Sequence, residues 1–348
     1  MCAVNAIPMA ARTKPPISPD RYDITKNSAI CTAVNVYDGT EIPKGSIKAI
    51  RIMESLPWPV TEAEGARYFG GSSFGWQVSQ ETCWGPVRVI GTVPVEADGS
   101  AHFKVPVMTN ASVYFQALDE NGMEIQRMRT SISFAPGETR SCLGCHETRG
   151  NVAPATTNGL AMKREPSTPI PPPWGNAPIS YEKQVQPILD RRCISCHGGE
   201  KPAAGLVLAD TPKVQFGMDS MNASYFNLRK KGLLACTSQS IASGAVTKPR
   251  QFGSYPSKFT RKLLDDEKHK KLPITTEERQ TLFTWVDANC PYHGQVVNKR
   301  SGLPAPKPAE IIPQALRHTT GKAVREDFPW HDLWAAPVEW QAMEDGRH

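Results

Sequence analysis

Two copies of one short pattern constrain this chain more than anything else in it: Cys142-Leu143-Gly144-Cys145-His146 and Cys193-Ile194-Ser195-Cys196-His197. In one turn of helix the second Cys and the His fall three and four positions after the first Cys, so all three side chains share a face. Two thiols on that face can bond the two vinyl groups of a haem while the imidazole reaches its iron, the attachment pattern of haem c. With 9 cysteines, 8 histidines and 348 residues, chance supplies about 0.005 copies of the pattern. The chain is therefore expected to carry two covalently bound haem c groups. Cys142, Cys145, Cys193 and Cys196 are the anchors, and His146 and His197 the proximal iron ligands. The competing reading is zinc or disulfides. A zinc ribbon, however, separates its Cys pairs by about 15–20 residues, whereas residues 146–192 intervene here and include a proline-rich stretch.

Haem c is attached outside the cytoplasmic membrane, which predicts a periplasmic or otherwise exported protein. Met1 to Arg12 does not read as a signal peptide: its start is not basic, and Asn5 and Pro8 break the apolar stretch. The export signal is expected upstream, and the chain reads as a fragment. Cys31 with Cys83, and Cys236 with Cys290, are candidate disulfides in an oxidising compartment, with isolated buried thiols as the alternative.

The rest of the composition excludes several classes. The 31 prolines and 26 glycines rule out an all-helical protein. No apolar run approaches the roughly 18 residues of a membrane span. The net charge of +6 is too diffuse to argue for nucleic acid, despite Arg229-Lys230-Lys231 and Lys268-His269-Lys270-Lys271. The sequence shows no Ser-His-Asp set, P-loop or dinucleotide fingerprint.

The chain reads as an α+β multidomain protein, an antiparallel β-sandwich-like middle domain followed by an all-α cytochrome c-like domain. Residues 1–29 are a proline-rich linker and 30–148 the β-rich domain ending in the first motif. A stiff, proline-rich linker spans 149–179, the cytochrome c-like domain 180–296, and an unassigned extension 297–348. Ile50 and Ile52 share one strand face. Hairpins are expected at Asp98-Gly99, between Val95/Ala97 and Ala101/Phe103/Val105, and at Asn121-Gly122. Ser180 is expected to cap a helix bent by Pro187 that delivers Cys193. A second helix is predicted over about 256–265, and a third begins at the capping box Thr275-Thr276-Glu277-Glu278.

With these segments in place, the chain resembles the hydrazine synthase alpha subunit family. The match is carried by Gly91-Thr92-Val93-Pro94-Val95-Glu96-Ala97-Asp98-Gly99-Ser100-Ala101-His102-Phe103, by Tyr114-Phe115-Gln116-Ala117-Leu118-Asp119-Glu120, and by Pro136-Gly137-Glu138 leading into Ser141 and the first motif through Glu147. The second half resembles a cytochrome domain of planctomycete-type proteins at Val185-Gln186-Pro187-Ile188-Leu189-Asp190, Cys193 to Gly199, and Trp285-Val286-Asp287-Ala288-Asn289 with Pro291-Tyr292. The resemblance implies a middle domain with one haem c, a C-terminal domain with a bis-histidine haem c, and a propeller that the proline-rich start is expected to follow. It also implies a reactive first haem, a second haem that passes electrons, and other subunits as partners.

The sixth iron ligand decides function, because a haem with two protein ligands transfers electrons and one with an open position can bind a small molecule. For the second haem His269 is the distal candidate, in a loop where the family carries a histidine. His293 is the runner-up, and Met218 and Met221 are thioether alternatives. Arg191 and Arg192 are candidates for its propionates. For the first haem the only other histidine of the domain is His102, on a strand face of its own. An open iron is the favoured reading there, with Tyr114 and Arg129 as pocket candidates. Electron transfer between periplasmic redox partners is the first functional expectation. A haem enzyme of the hydrazine synthase alpha type, acting on a small nitrogen species, is the alternative, and a zinc-binding structural protein the third.

Overall fold

The computed structural model describes residues 23, 25–55, 87–107, 112–128, 130–145, 159–216, 219–236 and 247–294. The expectations for Cys83, Arg129, His146, Met218 and the extension 297–348, and most of the N-terminal linker, lie outside these residues.

Three layers stack in these residues. The first sheet has strand order β4-β1-β7, from β1 (Ser28–Ala33), β4 (Ala101–Pro106) and β7 (Thr139–Cys142). The second has order β3-β2-β5-β6, from β2 (Ala49–Ser55), β3 (Val87–Pro94), β5 (Ser112–Leu118) and β6 (Glu124–Arg127). Alternation along each strand fills the core between the sheets: Cys31, Phe103 and Val105 from one side meet Ile50, Ile52, Val113, Ala117 and Ile125 from the other. Phe103 and Phe115 meet edge to face across it, ring centres 5.5 Å apart.

The second sheet is buried on its other face as well. Met53, Val87, Val89, Tyr114 and Met123 pack against the helical region that follows. That region comprises α1 (Gln186–Arg192), α2 (Ile194–His197), α3 (Ala223–Lys230), α4 (Lys258–Asp265), α5 (Glu267–Lys270) and α6 (Thr276–Asp287). Its centre is an aromatic cluster, Tyr181, Tyr225, Trp285 and Tyr292. Each polar handle is satisfied, for example Trp285 Nε1–H donating to the Pro291 carbonyl at 3.0 Å and Tyr225 O–H to the Cys290 carbonyl at 2.7 Å.

Several local expectations are met. The Asn121-Gly122 turn joins β5 to β6 as an antiparallel hairpin. The Ser180 hydroxyl caps the helical run by accepting from Lys183 N–H at 3.2 Å. The first turns of that run, Tyr181–Val185, are π-helical, and Pro187 sits where α1 begins. Thr275 and Glu278 form the reciprocal capping box.

Others are corrected. The Asp98-Gly99 turn forms, with Gly99 at a φ of 87°, but its arms part: β3 pairs with β2, while β4 crosses to β1 in the other sheet. The expected hairpin is a corner between layers. The sandwich is not wholly antiparallel, because β7 returns alongside β1 in the same direction after a long connection. The region after residue 180 is not all-α, since β8 (Lys213–Phe216) and β9 (Asp219–Asn222) form a two-stranded sheet within it. The described part of the proline-rich segment is docked rather than free-standing: Ile170 bridges Thr92, and Ser167 N–H donates to the His102 carbonyl at 2.9 Å.

Candidate functional site

The second motif is built at the end of α1. Cys193 N–H closes that helix on the Leu189 carbonyl at 2.8 Å. The chain then makes the single turn its spacing predicts, with Cys196 and His197 N–H groups both reaching the Cys193 carbonyl, at 3.2 and 2.9 Å. His197 Nδ1 lies 3.2 Å from the Leu206 carbonyl. A carbonyl only accepts, so Nδ1 carries the hydrogen and Nε2 keeps its lone pair.

His269 faces it. The two imidazole rings are nearly parallel, 24° apart, with centres separated by 6.2 Å. A metal taking one nitrogen from each of two imidazoles, at about 2 Å per bond, sets the ring centres about 6 Å apart. The expected loop is in fact the short helix α5, capped by Asp266. One Asp266 carboxylate oxygen accepts from His269 Nδ1 at 2.7 Å and from the Lys268 and His269 backbone N–H groups. The His269 ring and the Lys262 ammonium hold Asp266 far below the usual carboxylate range. His269 Nε2 is thereby left with its lone pair, and each histidine has an outer partner of the kind that fixes a tautomer.

Asp266 was missed in the sequence. Its signal was there, an Asp three residues before the His in an N-cap position. The Leu206 carbonyl left none.

The other candidates lie elsewhere. His293 is buried and engaged with Glu182 at 3.1 Å. Met221 is fully buried in the helical core. Arg191 and Arg192 both reach Glu278, at 3.2 and 2.9 Å, tying the end of α1 to the start of α6.

The first motif has a different local structure. Cys142 ends β7, and its carbonyl accepts from Val34 N–H at 2.9 Å; Leu143 does the same for Asn35 N–H at 3.0 Å. Those carbonyls are what a helical turn would have used, so Leu143–Cys145 bend instead. Gly144 lies so close to Asp38 that a Cβ would overlap the Asp38 carbonyl. Cys142 and Cys145 are half-buried against the core between the sheets. Tyr114 points to the opposite face of its sheet, into the helical core, and so does not line this motif. The register places His102 level with Thr32 and Ser141, on the face opposite Cys142.

Chemically, the thiols are unlike those of a thiolate site. Burial, with Cys142 adding to it, pushes Cys145 up to about 11, and burial with Cys196 and Glu278 does the same for Cys193. Cys145 packs on the core between the sheets and Cys193 in the core beyond the second sheet. The two Cys pairs therefore do not meet, which corrects the reading of one shared Cys₄ zinc site.

Residues 45–147 match the family model for the hydrazine synthase alpha subunit middle domain. No curated protein matches the chain. Among solved structures, Kuenenia stuttgartiensis hydrazine synthase superposes with a TM-score of 0.56 at 17% identity, over 77% of this chain and 43% of that one. This is a likeness of fold, and the chain spans less than half the length of that relative. The family resemblance read from the sequence is borne out over residues 45–147, the stretch that matches the middle-domain model.

Proposed function

We propose that this chain is a haem-bearing oxidoreductase subunit of the hydrazine synthase alpha type, with a relay haem at the second motif and a reactive one at the first. The sequence put simple electron transfer first, but the family match falls on the domain that ends in the first motif, which favours the enzyme reading. The facing pair His197 and His269 supports the relay haem of the proposal, and the family match ending at the first motif is the observation that carries its enzyme reading.

At the second motif Cys193 and Cys196 would anchor a haem c, and His197 and His269 would hold its iron. Such a group would supply reversible one-electron chemistry, and with two histidines holding its iron it would bind no substrate. The chain's own contribution is rigidity. The Leu206 carbonyl and the Asp266 carboxylate hold the two rings, and Glu278 clamps α1 to α6. Fixed ligands keep the coordination unchanged between redox states.

At the first motif Cys142 and Cys145 would anchor the second haem c, with His146 as its proximal ligand. The register sets His102 on the strand face opposite Cys142, so His102 would not hold that haem, which would supply redox chemistry toward a small nitrogen species. Haem c attachment makes the protein periplasmic or otherwise exported, with redox proteins or further subunits as partners.

The test is the ferrous spectrum with carbon monoxide on exported holoprotein. The proposal expects two haem adducts per chain, one shifting its Soret band with carbon monoxide and one staying low-spin. Two low-spin haems would reduce the protein to a relay, and absence of covalent haem would end the reading.

A further inference from the structure

Two cysteines outside both motifs, 54 positions apart in the chain, have their sulfur atoms 3.2 Å apart. Cys290 is buried three residues beyond the end of α6, where the backbone turns left-handed at Asn289 (φ 67°) and Cys290 itself (φ 56°). Cys290 is the wrong kind of residue for that conformation, since only glycine adopts it without steric cost. It is nonetheless held there, by its own N–H to the Trp285 carbonyl at 3.0 Å and by Tyr225 O–H to its carbonyl. On the other side, Ala235 is fixed at both ends: its N–H donates to Ser257 Oγ at 2.8 Å and its carbonyl accepts from Gly253 N–H at 2.9 Å. Each sulfur is thus positioned by a separate set of hydrogen bonds, and both sets aim at the same point.

We propose that Cys236 and Cys290 form a structural disulfide that closes the loop bearing His269. The loop from 236 to 290 contains α4, α5 and α6, and so both the distal histidine and its Asp266 partner. Forming the bond moves the sulfurs about 1 Å closer, to the roughly 2 Å of a disulfide. The two thiols release two protons and two electrons as the sulfur–sulfur bond forms. A disulfide oxidant, a thiol–disulfide exchange protein or a small-molecule disulfide, accepts them and becomes its dithiol. Cross-linking the ends of this loop limits how far His269 can withdraw from His197. The proposal rests on the exported haem reading only for its oxidising compartment.

The test is peptide mapping of exported holoprotein, alkylated under denaturing conditions without reductant. The expected result is a peptide pair joined through Cys236 and Cys290, two hydrogens lighter than the sum of its parts and unalkylated at both sites. Alkylation of both residues, or a cross-link from either to another cysteine, would overturn the proposal. Haem adducts are scored in the same map, so a disulfide without haem would fail the functional reading alone, and haem with free thiols would fail this one alone. A second readout uses the Cys236→Ala/Cys290→Ala protein, whose low-spin haem signal should melt at lower temperature than the wild type's. An unchanged melt would refute the role assigned to the cross-link.

Discussion

Arg51 and Asp287 meet at 2.9 Å with both side chains buried, joining the middle of the second sheet to the last turn of α6. Around them Arg51 also donates to Gln116 Oε1 and the Gly122 carbonyl, and Gln116 Nε2 donates to the Asp287 carbonyl and to Glu124. Arg127 grips Glu124 with two nitrogens, at 2.5 and 2.7 Å. Asp287 further accepts from Ser254 N–H at 2.6 Å. This polar plug lies inside the apolar contact between the sheet and the helices. Asp287→Ala would strand the Arg51 charge in the interior and should lower unfolding free energy by about 3–5 kcal/mol. The double change Arg51→Met/Asp287→Leu removes both charges and should cost clearly less. Urea denaturation of both proteins checks the ordering, and equal losses would show that the pair's burial is not what matters.

The same plug predicts a pH dependence. Burial, with Arg127 opposing it and Asp287 adding to it, raises Glu124 from 4.5 to about 7. A carboxyl with a folded pKa above its unfolded one binds its proton more tightly in the folded state. Between pH 4.5 and about 7 the folded protein then holds more protons than the unfolded chain, so this group's contribution to stability falls as pH rises. Wild-type protein should lose stability from pH 5 to 7.5 relative to Glu124→Gln, compared by urea midpoints at the two pH values. Parallel profiles would remove Glu124 as the cause.

Much of this was readable in the sequence where a residue's role is settled by its neighbours along the chain. The one-turn geometry from Cys193 to His197, the Thr275 capping box and the Asn121-Gly122 hairpin are all decided within five residues. His269 was singled out as a candidate too, but the Asp266 cap that orients it was not. The misses share a cause. The Asp98-Gly99 turn says that the chain reverses, not which sheet each arm joins. At the first motif Leu143–Cys145 bend where Val34 and Asn35, about a hundred positions earlier, take the Cys142 and Leu143 carbonyls. Arg51 and Gln116 sit at positions that a two-layer sandwich would expose. They are buried because the helical region makes a third layer, which strand alternation alone cannot reveal.

The Asp266–His269 contact should be visible at the second haem. If His269 is the distal ligand as proposed, His269→Ala removes it, and that haem should become high-spin. Asp266→Ala leaves the imidazole but frees its tautomer and orientation, and loss of such an outer partner typically weakens ligation about 10–100-fold. Cyanide should then displace His269 at a correspondingly lower concentration, read from the low-spin absorption bands, with the thioether attachment unaffected by mass. Asp266→Asn, which can still accept through its amide oxygen, should fall between. An Asp266→Ala protein with wild-type cyanide affinity would mean that the carboxylate caps α5 and nothing more.

Gly144 offers a test at the first motif that depends on stability before any cofactor. Its position is dictated by Asp38, whose backbone carbonyl and Cβ occupy the space a side chain would need. Backbone on both sides is pinned by the Val34 and Asn35 hydrogen bonds, so neither strand can give way cheaply. Gly144→Ala should therefore cost about 1–3 kcal/mol, the usual penalty for overpacking. The strain falls between the two thiols of the motif, so haem incorporation at Cys142 and Cys145 should drop while that at Cys193 and Cys196 is retained. Thermal melting gives the first effect and peptide mass mapping of the two sites the second. A Gly144→Ala protein of unchanged stability would show that the β1–β7 edge yields more readily than its hydrogen bonds indicate.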